Sequence, residues 1–263
     1  MHVSFDESIA WTTTDDGWTT TLGSEWMQGR GAFGGIVAAA ALKAMRTQVA
    51  PERLPRTFTT TFLGPVTKEP AHLSVRVLRE GRAVSFLEAE ILQEGTPRLR
   101  ATGIFGADRD SIIAAPAPPT EVPDPDGFVK FPHVPGITPD FIQMMDVRWT
   151  EGSFPFTGVK DGLTMASMMR FKDGATPGYE RILTLLDVMP APVLQQLDGP
   201  RPASSIQWTS HFVRPDPSTA GDWCFFRYET VSAGAGYSTT IGKLYGPSGE
   251  LLAWQEQLHA VFG

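Results

Sequence analysis

The chain of 263 residues has one cysteine, Cys224, which excludes an intramolecular disulfide and fits a reducing compartment. It has no run approaching ~18 apolar residues, so no membrane span is expected. The opening stretch from Met1 to Glu7 lacks the basic start and apolar core of a secretory leader. Together these predict a cytoplasmic protein. Basic residues are in the minority, 22 Lys and Arg against 29 Asp and Glu with a net charge of -7. No basic stripe or block occurs, which argues against nucleic acid as the main partner. A few clustered Arg or Lys residues can still hold a phosphate in such a protein. Several motifs are missing too. There is no Gly-x-Ser-x-Gly elbow, which counts against an α/β-hydrolase, and no phosphate-binding or dinucleotide glycine fingerprint. The five His residues are too scattered for a zinc site. We therefore expect neither metal nor cofactor.

With 41% hydrophobic and 19% charged residues, the composition is that of a globular protein with a proper core. Its length allows one large domain or two of roughly 100–130 residues. Short strands dominate. A hairpin is predicted around Asp15-Asp16-Gly17, followed by an Ala-rich helix from Ile36 to Val49 and strands at 56–63, 71–80, 83–93 and 97–106. Prolines then recur from Pro116 to Pro139, as in an extended surface connection. Beyond it, strands are predicted at 144–150 and 163–171, a helix at 178–189, and strands at 204–213, 222–232, 236–246 and 250–262.

The order of the first half is thus repeated. Thr61-Phe62-Leu63-Gly64-Pro65 resembles His211-Phe212-Val213-Arg214-Pro215, and the turn Glu94-Gly95-Thr96-Pro97 corresponds to Pro247-Ser248-Gly249-Glu250. The offset stays near 150 residues, as in a duplication with loop insertions. We divide the chain into an N-terminal repeat at 1–107, a Pro-rich linker at 108–140 and a C-terminal repeat at 141–263. One helix followed by four antiparallel strands, made twice, predicts an α+β fold. Two sheets joined edge to edge would wrap the two helices, each covering its apolar face.

Asp187 is an acid in an apolar run, Ile182-Leu183-Thr184-Leu185-Leu186-Asp187-Val188-Met189. Burying a carboxylate is costly unless it is hydrogen-bonded, protonated or used. Arg181 lies on a different helix face, so its partners must come from elsewhere in the fold. The plain alternative is a helix cap beside Pro190 and Pro192.

The segments Gly31-Ala32-Phe33-Gly34-Gly35-Ile36, Phe58 to Pro65 and Leu78-Arg79-Glu80-Gly81-Arg82 resemble the first half of the double-hotdog acyl-CoA thioesterases, the type II, TesB-like enzymes. Leu186-Asp187, Ser205-Ile206, His211 to Pro215 and Gly249 to Gln257 resemble their second half. The resemblance implies hydrolysis of an acyl-CoA in fatty acid metabolism, with no cofactor. It also implies an Asp, a Thr and a Gln holding a water; these positions fall on Asp187, Ser205 and Gln257. Ser205 departs from the Thr but keeps a hydroxyl.

In this reading Asp187 is the general base, and attack by Asp187 itself through an anhydride is the other route. Gly34 and Gly35, at a helix start, would receive the substrate carbonyl and its oxyanion. Gln255, two residues before Gln257 on the same strand face, competes with it for the site. Shifting Asp187 and Gln257 back by about 150 meets no polar counterpart, so one site per pair of repeats is expected. Two other functions fit the fold. One is a non-catalytic acyl-thioester or lipid carrier. The other is an enoyl-CoA hydratase, against which Pro192 stands where a His five residues after the Asp would be needed. The sheet edges and the habits of the fold predict a homo-oligomer, a dimer or larger.

Overall fold

Alternating apolar and polar positions fold into strands wherever the sequence predicts them, and the two apolar helical runs lie against the sheet they form. The computed structural model describes residues 3–213 and 222–262, so Arg214 and Pro215 of the His211–Pro215 segment lie outside the described residues. In chain order the elements are α1 (Phe5–Ser8), β1 (Thr12–Thr14), β2 (Gly17–Thr20), β3 (Met27–Gln28), β4 (Gly31–Ala32) and α2 (Gly34–Arg46). Next come β5 (Leu54–Phe62), β6 (Ala71–Glu80), β7 (Val84–Gln93), β8 (Thr96–Gly106) and β9 (Val129–Lys130). The second half adds β10 (Met145–Glu151), β11 (Thr164–Phe171), α3 (Tyr179–Leu186), β12 (Ala203–Phe212), β13 (Cys224–Gly234), β14 (Tyr237–Tyr245) and β15 (Leu251–Val261).

Thirteen of these strands form one antiparallel sheet in the order β1-β2-β6-β7-β8-β5-β12-β15-β14-β13-β11-β10-β9. The arrangement β6-β7-β8-β5 is matched by β13-β14-β15-β12, and the two meet edge to edge at β5 and β12. Joining the edges satisfies backbone groups that two separate sheets would expose. The region 108–140, expected as an extended surface connection, contributes the short strand β9, which pairs with β10 at the sheet edge.

Both helices lie on the concave inner face. Helix α2 packs on β6, β7 and β8, and α3 on β14 and β15. Ala38 to Ala41 in α2 are all buried, and such small side chains allow α2 to approach α3 closely. The helices run antiparallel, as their end contacts show. At one end the Thr184 hydroxyl lies 3.2 Å from the Gly35 carbonyl. At the other, Arg46 pairs with Glu180 at 2.8 Å. Both helices are shorter than predicted. Helix α2 starts at Gly34 and ends at Arg46, where the Thr47 hydroxyl bonds back to the Ala44 carbonyl at 2.7 Å. Helix α3 ends at Leu186, and Asp187 is its C-cap with φ -103° and ψ 1°. Pro190 follows closely, a residue that cannot continue a helix. Among the described residues no helix is long and apolar enough to cross a membrane.

Candidate active site

Four elements converge on Asp187. The end of α3 presents its carboxyl group, the start of α2 faces it, and β12 and β15 carry its polar partners. Gln257 on β15 donates from Nε2 to Asp187 Oδ1 at 3.1 Å and to the Ser205 hydroxyl oxygen at 2.6 Å. The backbone N–H of Gly35 bonds the same carboxyl group. This contact places the carboxylate at the positive end of the α2 dipole. Burial outweighs these bonds and raises the Asp187 pKa from 3.8 to about 7. The acid is therefore poised between its charged and neutral forms near neutrality.

Ser205 reaches the inner face through an irregularity. By strict alternation it would share the outer face with Gln207, Thr209 and His211. A β-bulge between Ser205 and Gln207 shifts the register, so that Ser205 lies opposite His259 while Trp208 lies opposite Gln257. Bulges next to sites commonly re-aim a side chain in this way.

The two glycines have separate reasons to be glycine. A Cβ at Gly34 would stand 2.8 Å from Asp187 Oδ2, so the carboxyl group itself occupies that space. A Cβ at Gly35 would meet the Phe33 ring at 2.7 Å and the Thr184 carbonyl at 3.0 Å, where the helices pack. The Gly35 N–H is engaged by Asp187, whereas Gly34, as the first residue of α2, has an N–H without an intrahelical acceptor.

Asp187, Ser205 and Gly34 open onto a cleft of about 500 Å³. Val37, Phe62, Met189 and Leu194 give it apolar walls, and Arg30 in the β3–β4 turn lies at its edge. Arg79 and Arg82 line a different cleft, and Arg100 is paired with Glu90 at 2.8 Å. Gln255 is fully buried, and its amide atoms have no hydrogen-bond partner among the described residues, Asp187 included. His211 stacks on Trp254, with ring centroids 4.1 Å apart. Cys224 is buried, which pushes its thiol up to about 11 and leaves no thiolate for nucleophilic work. Among the described residues no group of three His, Cys, Asp or Glu side chains is placed to hold a metal ion.

Sequence reading missed the layer behind Gln257. The Tyr228 hydroxyl on β13 donates to Gln257 Oε1 at 2.7 Å, Thr240 on β14 donates to the Tyr228 oxygen at 2.8 Å, and His259 Nε2 lies 3.3 Å from that oxygen. Burial lowers the His259 pKa to about 4 and raises that of Tyr228, so both are neutral at ordinary pH. His259 was within reach of sequence reasoning, being two positions beyond Gln257 on the same face. Tyr228 carried no such signal.

The corresponding place in the first half is apolar. Its strand β5 carries the same bulge, between Pro55 and Thr57. By register, Ser205, Gln257 and His259 correspond to Pro55, Gly103 and Phe105. A Cβ at Gly103 would stand 2.8 Å from Met45 Sδ, so this region is filled. Where α3 offers Asp187 to α2, the end of α2 instead offers Arg46 to Glu180 in the first turn of α3.

A helix backed by an antiparallel sheet, made twice and joined in one sheet, is a double hotdog. The family model described as the acyl-CoA thioesterase N-terminal domain matches residues 22–106, and that of the C-terminal domain matches residues 115–261. The chain thus belongs to the acyl-CoA thioesterase family and is a thioester hydrolase. Among solved structures it is similar to a hot dog-fold protein of unknown function from Alicyclobacillus acidocaldarius, at 27% identity over 98% of each chain with a TM-score of 0.86. It is also similar in fold to the acyl-CoA thioesterase II TesB2 of Mycobacterium marinum, at 18% identity, 98% of each chain and a TM-score of 0.78. The TesB protein of Mycobacterium avium subs paratuberculosis is similar at 17% identity, 98% of each chain and 0.79. Comparison with curated proteins gave no match.

Proposed function

We propose that the chain hydrolyses acyl-CoA thioesters to free acid and CoA at one site, with Asp187 as general base toward a water in the cleft and Gln257 holding the Asp187 carboxylate and the Ser205 hydroxyl in place. The observation that carries this is the contact of Gln257 Nε2 with both Asp187 Oδ1 and the Ser205 hydroxyl at the cleft wall. The water attacks the thioester carbonyl carbon and its proton passes to Asp187. The Gly34 N–H, at the start of α2, and the Ser205 hydroxyl face the developing oxyanion. Collapse of the intermediate re-forms the carbonyl and breaks the C–S bond, and the departing thiolate takes the proton back from Asp187. The apolar cleft walls receive the acyl chain, and Arg30 faces the phosphates of CoA.

The two repeat units, 1–107 and 141–263, joined by 108–140, support this site unequally: the second supplies Asp187, Ser205 and Gln257, and the first supplies the glycines. Release of free thiol from acyl-CoAs of graded chain length, read with a thiol dye, tests the reading. Thiol release by the native chain and its loss in Asp187→Asn is the expected result. Binding without release at every chain length would instead make the protein a carrier. Undiminished release by Asp187→Asn would remove Asp187 from the mechanism.

A further inference from the structure

We propose that Tyr228 is a positioning residue of this site: its phenol proton fixes which end of the Gln257 amide faces Asp187, and so leaves the Ser205 hydroxyl proton for the substrate. This rests on the site reading above. A glutamine amide has an acceptor end and a donor end, and a half-turn exchanges them. An ionised Asp187 can only accept, so the amide works only with its NH2 end toward the acid.

Proton counting decides the orientation. Tyr228 has one phenol proton, and of the two acceptors within reach of its oxygen Gln257 Oε1, at 2.7 Å, is nearer than His259 Nε2, at 3.3 Å. The Thr240 proton has the Tyr228 oxygen at 2.8 Å and the main-chain carbonyl of Gln257 at 3.2 Å, and goes to the nearer. Tyr228 thus accepts from Thr240 and donates to Gln257. With Oε1 held, both amide protons point the other way, one to Asp187 Oδ1 and one to the Ser205 oxygen. Ser205 therefore accepts from Gln257, and its own proton is free to be donated into the cleft. Tyr228 is fully buried, as is Thr240, and Gln257 and His259 nearly so. At such depth each lost hydrogen bond is felt in full. Besides Asp187, the cleft and this network hold three titratable groups among the described residues: Arg30, Tyr228 and His259.

Removing the phenol proton frees the amide to turn. Its oxygen then faces the carboxylate, which loses a donor and becomes harder to ionise. The test compares native enzyme, Asp187→Asn, Tyr228→Phe and Thr240→Val in kcat, KM and the pH dependence of kcat/KM, with folding checked by thermal unfolding. Asp187→Asn reports on the site reading itself. If it abolishes turnover, folded Tyr228→Phe is expected to lose about tenfold in kcat with little change in KM. Its acid limb should also move to higher pH, which a merely structural role would not produce. Thr240→Val should do the same more weakly, and it carries the test if Tyr228→Phe does not fold. A native-like kcat and pH profile in either folded variant, with Asp187→Asn dead, overturns the positioning role alone. Undiminished turnover in Asp187→Asn overturns the site reading, and the proposal with it.

Discussion

Thr59 and Thr209 lie opposite each other where the two halves meet, their hydroxyl oxygens 3.2 Å apart, and they are separated by 150 positions in the chain. Each is the counterpart of the other, so the contact marks the pseudo-twofold relation between the repeats. Around it the same helix-end contact is made twice with different chemistry. One end brings Asp187 to the glycines of α2, and the other brings Arg46 to Glu180.

The Arg46–Glu180 end is expected to be structural. Glu180 is only 8% exposed, so Arg46→Ala leaves a buried carboxylate without its cation and should cost about 2–3 kcal/mol. Denaturant unfolding would show this loss. Turnover per folded molecule should stay unchanged.

The two glycines should fail differently. Gly34→Ala places a methyl group against Asp187 Oδ2, so turnover should fall by about two orders of magnitude with a modest loss of stability. Gly35→Ala presses on the Phe33 ring and the Thr184 carbonyl, so it should cost about 1–3 kcal/mol in stability. Steady-state kinetics and thermal unfolding of both variants separate the two effects.

Ser205→Ala removes both the acceptor for Gln257 and the donor into the cleft, and kcat should fall about 100-fold. Ser205→Thr keeps the hydroxyl and should stay within a few-fold of native. Equal losses in both variants would mean that the hydroxyl is not what the site uses.

Much of this was legible in the sequence, for identifiable reasons. Period-two alternation exposed the strands, and the near-constant offset exposed the duplication. Asp187 stood out because a carboxylate in an apolar run needs partners. What stayed hidden depended on long-range register. Alternation alone would turn Ser205 outward, and only the bulge at Ile206 brings it inside. The choice between Gln255 and Gln257 depends on which strand position lies under the end of α3. Tyr228 reaches the site from 29 positions away in sequence, and nothing local to it announces that contact.

Stability should depend on pH through Asp187. Its folded pKa, about 7, lies above the ordinary 3.8, so ionisation favours the unfolded chain. The contribution is intact below about pH 4, is lost as pH rises toward 7, and stays lost above. Asp187→Asn cannot ionise, so it should be more stable than native above pH 7, by up to a few kcal/mol, with the gap closing toward pH 4. Urea unfolding at pH 5 and pH 8 measures both.

The most direct test of the central claim is the pH dependence of kcat/KM for acyl-CoA hydrolysis, measured on the native chain and on Asp187→Asn. With Asp187 as the base, native kcat/KM should rise with pH to a plateau, with its midpoint near the pKa of about 7. Asp187→Asn should lose roughly a thousandfold or more and show no such limb. A folded Asp187→Asn with native rate and the same limb would contradict the assignment.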